Sequence, residues 1–149
     1  MENRNNIIIY TDGACKGNPG PGGWGVFIKN LKRIDIELSG FESLTTNNRM
    51  EIKAAIMGLK YFEEKTTISL FTDSNYLKLG ITDWINKWKM NSWKTSNKKE
   101  VKNKDLWIEL EKLASFHNVE WNWVKAHDGN IGNEKADELA CSAIDKNLK

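Results

Sequence analysis

Residues 7–10, Ile-Ile-Ile-Tyr, form the first apolar run of the chain, and it passes directly into Thr11-Asp12. A short unbroken run bounded by polar residues predicts a strand buried on both faces. Residues 13–23 carry five glycines and two prolines and read as a turn. Two further strands follow at 24–28 and 34–38, joined by the polar turn at 29–33. Thr45-Thr46-Asn47-Asn48 is a run of N-cap residue types, and a helical pattern continues from it to about Glu64. Residues 67–73 predict a fourth strand that again ends on an acid. Residues 74–88 predict a helix with Gly80 as its weak point, and 106–116 a second helix rich in charge. A fifth strand at 119–124, a glycine-containing loop at 126–132 and a last helix at 133–146 complete the order βββαβααβα. That order predicts an α/β fold, a five-stranded mixed β-sheet flanked by α-helices, in one domain over residues 1–149.

Composition adds little to this picture. The chain has 149 residues, 40% apolar and 28% charged, with a formal net charge of +2. A chain of this length buries roughly 68–70% of its unfolded surface. Two cysteines, Cys15 and Cys141, are too few for a disulfide framework and lack metal-site spacing, which suits a reducing compartment. No apolar run approaches membrane-spanning length and the first residues lack a secretory pattern, so the expectation is a cytoplasmic protein without a membrane partner.

The distribution of charge changes the picture. Residues 84–104 hold seven lysines and one acid, a local +6, which leaves −4 for the rest of the chain. Trp84, Trp88 and Trp93 lie in the same stretch. Lysines interleaved with tryptophans suit a sugar-phosphate backbone, where cations meet phosphates and indoles pack on sugars or bases. The same spacing also suits a solvated amphipathic helix that buries Trp84 and Trp88, and a membrane-surface or calmodulin-target helix is a third option.

The acids carry the chemistry. Asp12 and Asp73 end two predicted strands. If those strands are parallel neighbours, the carboxylates meet at the sheet edge where α/β folds place ligands. Glu51 heads a helix face that continues through Ala55, Leu59 and Phe62, and Asp137 shares a face with Ala140, Cys141 and Ile144. An acid on an apolar stripe is out of pattern. Each acid has an ordinary explanation as well, in turn capping, a favourable helix dipole or the edge of a polar face. Together they suggest inward-pointing carboxylates that repel one another unless a hard divalent cation neutralises them. Two such ions about 3.5–4 Å apart would clamp the attacking and leaving oxygens of a phosphodiester. His127, in the loop before the last helix, is either solvent-exposed or a proton shuttle; His117 has no assigned role. Residues 20–25 match G-x-G-x-x-G as a string, but a strand follows where the dinucleotide motif needs a helix.

Thr11-Asp12-Gly13-Ala14-Cys15-Lys16-Gly17-Asn18-Pro19-Gly20-Pro21-Gly22-Gly23 resembles the opening motif of type 1 ribonuclease H, bacterial form. Thr45-Thr46-Asn47-Asn48-Arg49-Met50-Glu51 is similar to that family's second motif and Thr72-Asp73-Ser74 to its third. His127 with Asn133-Glu134 and Asp137-Glu138-Leu139-Ala140 is similar to its last. The lysine- and tryptophan-rich stretch at about 84–104 looks like its basic protrusion. The resemblance implies a ribonuclease H-like fold and a monomeric endonuclease that cuts the RNA strand of an RNA–DNA hybrid with two Mg²⁺ ions, Mn²⁺ being a possible substitute. It implies metal ligation by Asp12, Glu51, Asp73 and Asp137, with Asp73 also helping to hold the attacking water. It makes His127 an aid to proton transfer or product release. Asn18, Asn47 and Asn75 match positions that touch the hybrid's minor groove, with Cys15 and Asn48 among the same substrate-facing residues. Thr46 and Asn103 match a pocket for a DNA phosphate, Trp84 and Trp88 a channel for the DNA strand, and Lys94, Lys98 and Lys99 belong to the protrusion. Leu44, Ala126 and Asp128 depart from the pattern. A catalytically silent hybrid-binding module and another nuclease of the same fold are the alternatives.

Overall fold

The structure is a computed structural model that describes residues 7–30, 35–125 and 129–148. Its sheet is built from β1 (Ile7–Cys15), β2 (Gly20–Asn30), β3 (Ile36–Thr45), β4 (Thr67–Thr72) and β5 (Asn118–Trp123), in the spatial order β3-β2-β1-β4-β5. β1 pairs antiparallel with β2, and β2 with β3; β4 runs parallel to both β1 and β5. The helices are α1 (Asn47–Lys60), α2 (Asn75–Leu79), α3 (Ile85–Met90), α4 (Lys104–Phe116) and α5 (Ile131–Asn147). The sheet is mixed and five-stranded, as its sequence predicts.

One face of the sheet carries Ile7, Ile9, Val26, Ile28, Ile68 and Leu70, and these bury against α1. That helix is buried well beyond the stripe read from the sequence, through Met50, Ile52, Ala54, Ala55, Ile56 and Leu59. The reason is that α4 shares this layer: it packs against α1 and also contacts β5. His117 closes this layer. It is buried, its Nδ1 accepts from the Thr66 N–H at 3.1 Å, and its Nε2 lies 2.9 Å from the Leu59 carbonyl. Because Nδ1 is the acceptor, Nε2 carries the proton and donates. The histidine thus ties the end of α4 to α1 and to the segment entering β4.

α5 covers the other face, and here the sequence reading needs correction. Residues 13–23 are not one long turn: β1 continues to Cys15 and β2 begins at Gly20, leaving Lys16 to Pro19 as the turn. The glycines of β2 serve a different purpose. A Cβ on Gly23 would lie 2.3 Å from the Ala140 carbonyl oxygen, and one on Gly25 the same distance from that of Ala136. Glycine in a strand here marks the close approach of another backbone, namely that of α5. Likewise β3 runs on to Thr45, past the predicted end at residue 38, and the N-cap of α1 is Thr46, whose Oγ1 accepts from the Arg49 N–H at 3.2 Å. The helix expected over 74–88 is interrupted by a π-helical turn, Gly80–Trp84, between α2 and α3. Gly80 faces the ring of the fully buried Trp107, which a Cβ would meet at 2.0 Å.

Gly25→Ala is expected to force α5 off the sheet. Overpacking of this kind costs about 2 kcal/mol or more, or a melting temperature lower by roughly 4–8 °C in a chain of this size. Thermal unfolding by circular dichroism checks this, and an unchanged melting temperature would contradict the close-packing role of Gly25.

Candidate active site

Asp12 lies near the end of β1 and is buried. β1 and β4 are parallel with Tyr10 beside Phe71, and the same offset two residues on places Asp73, just past the end of β4, beside Asp12. On the other side Asp12 pairs with Gly25 of β2. The α5 backbone enters at that glycine, so Asp137, the residue after Ala136, is brought close to Asp12. Glu51 arrives from above. A Cβ on Gly13 would lie 2.5 Å from the backbone of Met50 and Glu51, so the first turn of α1 descends onto the end of β1. Ligand oxygens of Asp12, Glu51 and Asp73 consequently all lie within 4.8 Å of one another.

This crowding has an electrostatic consequence. The Asp12 carboxyl is pushed up from 3.8 to about 8, first by burial, then by the Asp73 charge and by Asp137; only the Gly13 N–H opposes the shift. Burial pushes Glu51 well above the ordinary carboxylate range too, reinforced by the charges of Asp12 and Asp73. Glu51 Oε1 is buried and has no hydrogen-bond partner among the described residues. Among the described residues, no lysine or arginine forms an ion pair with Asp12, Glu51 or Asp137. An orphaned carboxylate oxygen inside a ring of carboxylates fits a hard divalent cation, which takes oxygen ligands. The nearby Cys141 thiol donates to Asp137 Oδ1 at 3.8 Å, and burial with the Asp137 charge pushes its pKa up, so it stays protonated. Of the four acids singled out in the sequence, Asp12, Glu51 and Asp73 come together as one possible ligand group, and Asp137 lies beside Asp12. His127, Ala126 and Asp128 lie outside the described residues.

Polar residues surround this pocket. Asn18 Oδ1 accepts from the Asn47 N–H at 2.8 Å, which joins the β1–β2 turn to the start of α1. Asn48 and Asn75 are exposed. Cys15 turns inward: its thiol donates to the Thr45 carbonyl at 3.4 Å and to the Gly20 carbonyl at 3.5 Å. Asn103, the N-cap of α4, is left-handed with φ 63° and makes no cap bond with its side chain. Its amide instead donates to Tyr76 Oη at 3.0 Å and accepts from Arg49 Nη1 at 3.1 Å.

Trp84 and Trp88 are half-buried. Trp84 packs against Tyr76 with ring centroids 5.5 Å apart, and Trp88 against Trp107 at 5.7 Å. The core-packing reading of these tryptophans holds in part, since each anchors the segment to the core and keeps an exposed edge. Within the basic segment Lys87 pairs with Asp83, Lys89 with Glu111 and Lys104 with Glu100. Lys94, Lys98, Lys99 and Lys102 are exposed, with no ion pair among the described residues. The network of Arg49, Tyr76 and Asp105 escapes sequence reading. Its one signal is a lone arginine between a run of capping residues and Glu51.

Comparison with known proteins matches residues 4–145 to the RNase H family model. "Ribonuclease H" of Francisella philomiragia subsp. philomiragia is 60% identical over 141 residues, covering 95% of this chain and 92% of that protein. The crystal structure of LC9-RNase H1, a type 1 RNase H with the type 2 active-site motif, is similar with a TM-score of 0.85 and 31% identity, covering 94% of this chain and 72% of that one. LC11-RNase H1, solved in complex with RNA/DNA hybrid, is similar with a TM-score of 0.70 and 29% identity, covering 97% of this chain and all of that one.

The raised pKa of Asp12 contributes to the pH dependence of the metal-free chain. The folded state holds a proton that the unfolded chain releases near the ordinary value of 3.8, so this group's contribution is most favourable below that value and is lost as pH rises through about 8. Asp12→Asn removes the ionisation. With chelator present, the variant is expected to melt higher than the native chain at about pH 9, by more than roughly 3 °C, with the gap closing toward about pH 5. Melting curves across that range check this; a gap that widens toward acid would contradict the crowding.

Proposed function

The chain belongs to the ribonuclease H family, and we propose on that premise that it hydrolyses the RNA strand of RNA–DNA hybrids at the pocket of Asp12, Glu51, Asp73 and Asp137. The observation that carries this reading is the orphaned Glu51 oxygen among carboxylates within 4.8 Å of one another. These four residues would hold two Mg²⁺ ions, or Mn²⁺ in their place. When bound, such ions neutralise the carboxylates, lower the pKa of water and stabilise the leaving oxygen. Asp73, at the open end of β4, helps to orient the attacking water. His127 assists proton transfer or product release, a role that suits an imidazole with an ordinary pKa near 6.5.

Selectivity for a hybrid follows from its one strand of 2′-hydroxyls, by which a protein tells RNA from DNA. Asn18 and Asn47 form one hydrogen-bonded ridge beside the pocket and, with Asn48 and Asn75, offer small polar groups to those hydroxyls. Cys15 supports the ridge from within, since its thiol is engaged with backbone carbonyls. Thr46 and Asn103 receive a backbone phosphate. The exposed edges of Trp84 and Trp88 pack on deoxyribose, where a 2′-hydroxyl would clash, and Lys94, Lys98 and Lys99 meet phosphates beyond. Nothing in this set reads base edges, so sequence preference is weak. That LC11-RNase H1 is known in complex with RNA/DNA hybrid supports the choice of partner. The proposal extends to a monomeric cytoplasmic enzyme that removes primers and R-loop RNA in DNA replication. The four carboxylates together favour an enzyme over a silent hybrid-binding module, and the basic segment favours a hybrid over other substrates of nucleases with this fold.

With Mg²⁺, labelled RNA–DNA hybrid is expected to lose its RNA strand, while duplex RNA, duplex DNA and single-stranded RNA stay intact. Asp73→Asn is expected to abolish cleavage and leave hybrid binding largely in place, and an active variant would overturn the metal assignment. Replacing Lys94, Lys98 and Lys99 with alanine is expected to lower the slope of log affinity against log salt by about one unit for each lost phosphate contact. Binding titrations from low to high salt check this, and an unchanged slope would remove the segment from the interface.

A further inference from the structure

Arg49 lies in the first turn of α1, with its backbone N–H on the Thr46 hydroxyl. A guanidinium has five N–H donors in a fixed plane. Three are accounted for. Nη1 donates to Asp105 Oδ1 and Nη2 to Asp105 Oδ2, at 3.1 and 2.8 Å, forming an end-on fork; Nη1 also donates to Asn103 Oδ1 at 3.1 Å. The two donors left, Nε–H and the second Nη2–H, lie side by side on one edge and have no partner among the described residues. They form a second fork of the kind that grips two oxygens of a phosphate.

The edge is held from the core outward. The fully buried Trp107 donates from Nε1 to Tyr76 Oη at 3.3 Å, Asn103 donates to the same oxygen, and Asn103 in turn accepts from Arg49. Asp105 fixes the end of the guanidinium. The first turn of α1 carries no acid; the Glu42 charge on β3 acts on the guanidinium but forms no ion pair with it among the described residues, and Leu44 is 74% exposed and adds no charge.

We propose that Asp105 and Asn103 are positioning residues that lock Arg49 so that its Nε–Nη2 edge grips a backbone phosphate of the hybrid. This rests on the hybrid-cleaving reading above and adds to its Thr46–Asn103 pocket a pre-set arginine and the acid that sets it. The consequence runs against simple charge. Asp105 is an anion on a surface that binds a polyanion, so on Coulombic grounds its removal tightens binding. As a clamp, its removal frees the arginine and weakens binding, because an immobilised side chain no longer arrives pre-ordered.

The test measures KM and kcat on labelled hybrid with Mg²⁺, and affinity by fluorescence anisotropy with chelator, for the native chain, Asp105→Ala, Asp105→Asn, Arg49→Lys, Arg49→Ala and the double variant Arg49→Ala with Asp105→Ala. Asp105→Ala is expected to raise KM and Kd by about two- to tenfold, with the loss falling on KM more than on kcat. Arg49→Lys keeps the charge but loses the fork, and is expected to do the same. Asp105→Asn keeps one acceptor and is expected to fall between. In the Arg49→Ala background, removing Asp105 is expected to add nothing, the non-additivity of residues acting as one unit. Melting curves show that each variant folds, and Asp105→Asn carries the test if Asp105→Ala does not. Tighter binding without Asp105, or an equal loss with and without Arg49, would overturn the clamp. A native chain that fails to bind hybrid would instead overturn the function proposed above, and the clamp with it.

Discussion

Burial of carboxylates beside one another is the constraint on which the rest of this structure depends. Asp12 and Glu51 are desolvated, stand close to Asp73, and have no cationic side chain to offset them among the described residues. Burying an uncompensated charge is among the most destabilising things a fold can do. The chain accommodates it by retaining protons, as the raised pKa of Asp12 records. Such an arrangement has a use when a cation completes it. The same low-dielectric surroundings that penalise the bare carboxylates then strengthen their hold on the ion.

The scaffold serves this crowding through missing side chains. Gly25 and Gly23 admit the α5 backbone on one face of the sheet, and Gly13 admits the first turn of α1 at its end. Each glycine thereby delivers an acid, Asp137 in the first case and Glu51 in the second, to an aspartate pair set by the parallel register of β1 and β4. The opposite charge is kept apart. The lysines of the basic segment are carried outward on an aromatic base of Trp84, Trp88 and Trp107, so a net charge of +2 describes two surfaces of opposite sign.

Much of this was legible in the sequence because it is encoded locally. Strand-end acids at 12 and 73, an acid heading an apolar helical stripe at 51 and another at 137 are patterns within single elements. What was not legible depends on partners far away in the chain. The glycines of 20–25 read as a turn because glycine has both uses, and only the arrival of α5 shows that close approach is the one in force. The breadth of the buried face of α1 needed α4. The contacts of the Asn103 side chain with Tyr76 and Arg49 were hidden for the same reason, since those residues lie 27 and 54 positions away. His117 carried no signal at all, yet it closes the packing of α4 against α1.

The central claim, that the carboxylate pocket is a cation site, is tested most directly by a crystal of the native chain grown with Mn²⁺ and examined by anomalous diffraction. The account predicts anomalous density among the oxygens of Asp12, Glu51, Asp73 and Asp137, with Glu51 Oε1 a ligand. Full Mn²⁺ in the solution with no density there, or Glu51 Oε1 found accepting from a protein donor instead, would contradict it.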